Sequence, residues 1–192
     1  ATANGSATVE LTIQDNGGVT NGGVNTSAEQ TFTITITPNQ APTISDVVNQ
    51  TVLEDANTGS LAFTIGDAET AVGSLTLSAT SSDTTLVPPG NIVLGGTGAN
   101  RNVMVTPVPN LNGGPVTITL RVTDALGAFA EDTFTVTVTP VNDAPSFAKG
   151  TDQTINANAG TQTVASWATG IGAGAPNESS QTLTFLVSNT NN

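Results

Sequence analysis

Residues Thr133–Pro140 read TFTVTVTP, and residues Thr31–Pro38 read TFTITITP. In both, apolar residues alternate with threonine: Phe134, Val136 and Val138 in the later stretch, Phe32, Ile34 and Ile36 in the earlier one. A period of two places the apolar side chains on one face of a strand and the threonines on the other. That is the pattern of an antiparallel strand with one face buried, and threonine suits a pleated, half-buried surface. The phrase occurs twice, 102 residues apart, so the chain is also a repeat.

Working outward, the repeat extends on both sides. NQAP at Asn39–Pro42 returns as NDAP at Asn142–Pro145, at an offset of 103 because Val141 is inserted. Gln50-Thr51 matches Gln153-Thr154 at the same offset. Upstream, LTIQD ending at Asp15 matches LRVTD ending at Asp124, at offset 109. The extra residues form a longer Gly/Asn-rich hairpin, Asn16 to Asn25, in the first copy. One unit is thus about 100 residues, a usual size for a β-sandwich. Its strands are expected at 49–53, 60–66, 74–80, 91–95, 101–107, 115–124 and 129–139. Within them Val116, Ile118, Leu120 and Val122 alternate with polar residues, and Asn112-Gly113 is a turn signal. No segment shows sustained helical spacing. Residues 41–140 are expected to form one complete sandwich. Residues 1–40 read as the C-terminal half of a preceding one, and residues 141–192 as the N-terminal half of a following one. A half-sandwich exposes an apolar face and unpaired edges. Two explanations fit: a segment of a much longer repeat chain, or halves that complement each other between molecules by strand addition.

Composition narrows the chemistry. Of 192 residues, 36% are hydrophobic and 9% charged, with a net charge of −12. That balance argues against nucleic acid, which needs a basic footprint, and against an anionic membrane surface. There is no His, Cys or Tyr, and Lys149 is the only lysine. A Ser-His-Asp triad, a Cys nucleophile, a His/Cys zinc site and a disulfide framework are all impossible within this chain. No apolar run approaches 18 residues, so no membrane insertion is expected. Paired carboxylates could hydrolyse a glycoside, but little aromatic surface is present to line a sugar cleft. No enzymatic activity is expected.

Asn49–Thr80 (NQTVLEDANTGSLAFTIGDAETAVGSLTLSAT) followed by Pro109–Phe147 (PNLNGGPVTITLRVTDALGAFAEDTFTVTVTPVNDAPSF) resembles the bacterial cadherin-like, immunoglobulin-like tandem repeats of large surface proteins and adhesins. The resemblance implies all-β tandem seven-stranded Greek-key β-sandwiches, an extracellular or cell-surface setting, and a stalk-like or adhesive role. It also implies calcium between successive units, since calcium takes six to eight oxygens and a junction collects them from several loops. By that resemblance Glu54 matches the glutamate late in the first strand, and Asp67 and Glu69 match the DxD pair after the second. Asp124 matches the aspartate of the last hairpin, and Asn142 and Asp143 match the linker Asn-Asp before Ala-Pro. There are departures. Asn110-Leu111-Asn112-Gly113 stands where cadherins carry LDRE. The first linker has Asn39-Gln40, without a carboxylate, and Ala157 stands where Glu54 stands in the middle unit. One ion per junction, or none, is the expectation. The plainer alternative is that these acids accept hydrogen bonds from their own turns.

Two functional readings follow. The first is a structural segment of an extracellular stalk, fibre or giant adhesin, whose partners are neighbouring repeats of the same or identical chains, with filament formation as one version. The second is a carbohydrate- or cell-surface-binding module using loops such as Asn16–Asn25 or Ser81–Gly90, although these lack the Trp, Tyr and Arg that favour hot spots. Trp167, the only tryptophan, is expected in a core, and Arg101 and Arg121 are expected to be solvated or paired with acids.

Overall fold

The computed structural model describes residues 4–190 of the chain. Its centre is a sandwich of two four-stranded sheets. The strands are β3 (Thr43–Ile44), β4 (Gln50–Leu53), β5 (Leu61–Gly66), β6 (Thr76–Ser81), β7 (Ile92–Thr97), β8 (Asn100–Val105), β9 (Gly113–Thr123) and β10 (Phe129–Thr139). One sheet has the order β4-β10-β9-β6 and the other β3-β5-β8-β7. This is the strand order of an immunoglobulin-like Greek-key sandwich, as the alternation and the resemblance implied. Seven of these strands overlap the expected ranges. The eighth, β3, is only two residues long and lacks an alternating pattern. It pairs antiparallel with β5, whereas β4 runs parallel to β10, so the first edge of the unit switches from one sheet to the other.

The longest ladder joins β9 to β10, with Phe134 opposite Ile118 and Val136 opposite Val116. The apolar residues of both strands point the same way, and all seven of them, Val116 to Val122 and Phe134 to Val138, are buried. They meet Phe63, Ile65, Val103 and Val105 from the other sheet. Each fully buried side chain of this kind stabilises the fold by about 1.5–3 kcal/mol, an upper figure since denatured chains already bury some surface.

On one side of this sandwich lies a hairpin of β1 (Gly5–Leu11) and β2 (Gln30–Ile36). Phe32 stands opposite Val9 and Ile34 opposite Ala7. The two sequence offsets, 102 for the second strand and 109 for the first, map these pairs onto Phe134 with Ile118 and Val136 with Val116. The hairpin therefore repeats β9–β10 in register. Its long turn closes through Asp15 N–H to Asn25 O, as Asp124 N–H bonds Ala128 O in the middle unit. On the other side, β11 (Ser146–Lys149) pairs antiparallel with β12 (Ala168–Gly172), as β3 pairs with β5. No strand occurs among the described residues between 150 and 167 or after 172.

Candidate functional site

The residues singled out by the sequence fall at two junctions, one at each end of the central sandwich. At the first, the chain enters through Asn39 and Gln40. The Asn39 side-chain amide donates to Asp124 Oδ2 at 2.6 Å. Asp124 Oδ1 accepts from Leu126 and Ala128 N–H, holding the β9–β10 turn. The Asn39 bond, assisted by these backbone donors and opposed by burial, holds the Asp124 carboxyl below its ordinary value. Gln40 grips Glu69 twice, through its backbone N–H to Oε2 and its side-chain amide to Oε1. Asp67 Oδ1 caps the turn after β5 by accepting from Glu69 and Thr70 N–H. Only Asp67 Oδ2 is left buried without a donor. The structure thus brings Asp67, Glu69 and Asp124 to the linker, but amide donors of the linker occupy the oxygens of Glu69 and Asp124. Calcium takes six to eight oxygens, so an ion at this joint would have to displace the donors on Glu69 and Asp124.

The second junction is built differently. Glu54 follows β4 and is only 3% exposed. Its Oε1 accepts from the Val141 N–H at 2.6 Å and its Oε2 from the Asn177 side-chain amide at 2.9 Å. One buried carboxylate therefore ties the end of the central sandwich to the linker and to the following segment, across 87 and 123 residues of chain. Asn177 also donates to Asn112 Oδ1. Asn142 Oδ1 accepts from Gln181. Asp143 donates its backbone N–H to Glu178 Oε1. Glu178 lies in a single 3-10 turn, Pro176–Glu178, and is 6% exposed.

Two oxygens stand out here. Asp143 Oδ2 and Glu178 Oε2 are both buried and neither has a hydrogen-bond donor. Burial first, and then the negative charges of Glu178, Asp55 and Glu54, push the Asp143 carboxyl above its ordinary value. Gly174 makes room for them. It adopts φ +134°, and a Cβ there would collide with Glu178 Oε2 and lie 2.7 Å from Asp143 Cβ. An orphaned anionic pair of this kind fits a cation, which would neutralise both oxygens. Of the expected ligands, Asp143 is in place for that role, while Glu54 and Asn142 are engaged by protein donors. Glu178 stands with Asn177 near where the third copy would carry the equivalents of Asp67 and Glu69, whereas no repeat position points to Gln181. Among the described residues, no three acidic side chains converge as a ready-made metal cage.

Other singled-out residues take plainer places. Trp167 is 37% exposed rather than in a core. Its ring lies over the Gly150 backbone, where a Cβ would come within 2.8 Å, and its indole N–H donates to Thr151 O at 2.9 Å. That segment has no second sheet to bury the ring. Arg121 pairs with Glu131 at 2.7 Å and lies 3.9 Å from the centre of the Phe129 ring. Arg101 donates to Gly96 O. The loop after β6 sends Leu86 and Val87 into the core, with Asp83 capping the Thr85 and Leu86 N–H groups.

No known protein-family profile matches the chain, and no curated protein does. Solved structures do. The complex of titin M10 with the obscurin-like 1 Ig domain is 16% identical, over 52% of this chain and 95% of that one, at a TM-score of 0.39. The titin domains Z1Z2 in complex with telethonin are 18% identical, over 59% and 55%, at 0.40. The N-terminal Ig1-2 module of the Drosophila receptor protein tyrosine phosphatase DLAR is 12% identical, over 58% and 57%, at 0.39. Likenesses this distant carry no argument about function. The immunoglobulin-like assignment rests on the strand order and register.

Proposed function

We propose that the chain is a structural, non-catalytic segment of tandem immunoglobulin-like repeats in an extracellular stalk, fibre or giant adhesin, its joints held in fixed geometry by buried polar clamps. The observation that carries this reading is Glu54: a carboxylate removed from water and spent on bonds to a linker N–H and to the next segment. Charge-assisted bonds of that kind contribute about 1.5–3 kcal/mol each, and they lose their worth if the joint swings open. The first joint reaches the same end with amides, through Asn39 and Gln40. A calcium ion is proposed at the second joint only, held by Asp143 and Glu178, where it would supply the positive charge that the two orphaned oxygens lack. A carbohydrate- or cell-surface-binding role finds less support, because the 81–90 loop uses its large apolar residues to plug the core.

Scanning calorimetry in calcium and in chelator tests both parts. Glu54→Ala is expected to lower the unfolding midpoint in either buffer. Calcium is expected to raise the midpoint of the parent chain, by the equivalent of about 2.7 kcal/mol at 100-fold excess over Kd. Asp143→Asn is expected to remove that increment, and Asp67→Asn to leave it. A Glu54→Ala chain that melts like the parent would sink the fixed-joint reading. An unchanged parent midpoint in calcium would remove the ion and leave the clamps.

A further inference from the structure

Asn112 is exposed and stands just ahead of β9, with Gly113 following it. An asparagine before a glycine is set up to react with its own main chain. The glycine has no Cβ to keep its nitrogen away from the side-chain carbonyl carbon that precedes it. The reaction closes a five-membered ring, so proximity replaces a collision between molecules. The chain holds four such pairs: Asn4-Gly5, Asn16-Gly17, Asn21-Gly22 and Asn112-Gly113. The structure sets obstacles at two of them. The Gly17 N–H donates to Asp15 Oδ1 at 2.8 Å, and a carboxylate on that proton opposes its loss. Asn21 has φ 57° and ψ 31°, which turns the Gly22 nitrogen almost opposite Cβ about the Cα–C bond. Asn4-Gly5 opens β1, on the hairpin.

Asn112 has different surroundings. Its Oδ1 accepts from the Asn177 side-chain amide at 3.2 Å. Attack on Cγ drives negative charge onto that same oxygen, and a donor already aimed at it stabilises the charge. Asn112 also lines a cavity of about 420 Å³ at the second joint, with Val141, Asn142, Asn177, Glu178 and Gln181. The Asn177 amide that holds Asn112 Oδ1 is the one that holds Glu54 Oε2. Two residues earlier, the Asn110 N–H donates to Asp55 Oδ1. A carboxylate at position 112 would therefore stand among acids.

We propose that Asn112 is a self-modification site: it loses its side-chain amide through a cyclic imide with Gly113, and the carboxylate left behind recharges the second joint. The Gly113 nitrogen gives its proton to a solvent base and bonds to Asn112 Cγ. The Cγ–Nδ2 bond breaks, and the nitrogen takes up a proton and leaves as ammonia. Water then opens the imide at either carbonyl. One opening gives aspartate, and the other gives isoaspartate, whose main chain runs through Cγ. In sum one water is consumed and one ammonia released, with no change of oxidation state. Either product adds one negative charge. Isoaspartate also adds one carbon to the main chain immediately before β9, where Gly113 stands opposite Val138. Without a cation, the new carboxylate shares one amide group with Glu54 and repels its acidic neighbours. With calcium at Asp143 and Glu178, it brings a further anionic oxygen to the same cavity. The reaction is independent of the fixed-joint reading above, and its effect on the joint rests on that reading.

Ageing the full chain in warm, mildly alkaline heavy-oxygen water, followed by peptide mass spectrometry, tests the reaction. Residue 112 is expected to gain one heavy oxygen and to yield both aspartate and isoaspartate. It is expected to convert many-fold faster than Asn39, which precedes a glutamine, and ahead of Asn16 and Asn21. An amide at 112 that outlasts those of Asn16 and Asn21, or lasts as long as that of Asn39, overturns the proposal. Asn112→Gln keeps an amide but needs a six-membered ring, so position 112 is expected to stay unconverted. Asn112→Asp carries the product from the start. In calorimetry its midpoint is expected to fall below the parent's in chelator, and its rise on adding calcium to exceed the parent's. An Asn112→Asp chain that matches the parent in both buffers overturns the recharging of the joint. Glu54→Ala calorimetry reads the fixed joint and mass spectrometry reads the reaction, so the two fail separately.

Discussion

At single side chains, the deciding distinction is which donor an acid has found. Asp124 is buried and Asp143 half-buried, yet their carboxyls move in opposite directions, because Asp124 receives an amide from Asn39 while Asp143 is desolvated and faces other acids. A lowered carboxyl contributes stability that is present above its ordinary value and lost as pH falls through the folded value. Asn39→Ala removes the main cause. The variant is expected to be less stable than the parent to urea at about pH 7, and the gap is expected to narrow as pH falls through the folded value of Asp124. An equal gap at both ends would mean that Asn39 acts through packing alone. The acids themselves were legible in the sequence by their places in the repeat. Their partners were not. Asn39 and Gln40 read as a linker that lacks a carboxylate, whereas in the structure their amides satisfy acids that a metal would otherwise have to satisfy.

For strands and hairpins, alternation shows which face of a strand is apolar but not whether anything covers that face. TFTITITP and TFTVTVTP are the same strand to the eye, and they do form the same hairpin register. Their environments differ completely. Phe134→Ala opens a cavity in a closed core and is expected to cost about 3–5 kcal/mol in urea unfolding. Phe32→Ala, at the equivalent position in a dilute chain, is expected to stay within about 0.5 kcal/mol. Similar losses at both sites in dilute solution would show that the hairpin is already covered. Burial of β9 and β10 depends on Phe63, Ile65, Val103 and Val105 of the facing sheet, and no local pattern contains that information. The same limit explains Trp167. A lone tryptophan usually seeks a core, but the segment that carries it has only β11 and β12 to offer. The two-residue β3 escaped notice because two residues cannot display a period.

Taken whole, the molecule grades from a closed sandwich to open flanks, and the grading should be visible to a protease. Trypsin has three sites in the entire chain, so an unspecific enzyme is the useful probe. Cleavage is expected first in the Asn16–Asn25 turn and in residues 150–167, which lack ladder bonds, leaving a resistant fragment of about 100 residues around the central sandwich. A fragment reaching to either end of the chain would contradict that order. The repeat length and the central sandwich could be read from spacing alone. The donors at the two joints could not, because the neutral amides of Asn39, Gln40 and Asn177 carry no charge that would mark them as partners of acids.

One ladder has a further consequence. A pull along the chain first meets the two-residue β3, held only by its short pairing with β5, and then falls between β4 and β10. These two strands run side by side in the same direction, with Gln50 to Leu53 alongside Val136 to Thr139. Tension therefore slides one strand past the other. It cannot peel them apart bond by bond. The short ladder, extended by Glu54 N–H to Thr139 O and by the Thr139 hydroxyl to Val52 O, must break all at once. The edge where the chain switches sheets is thus also the latch that bears load when the string of units is stretched.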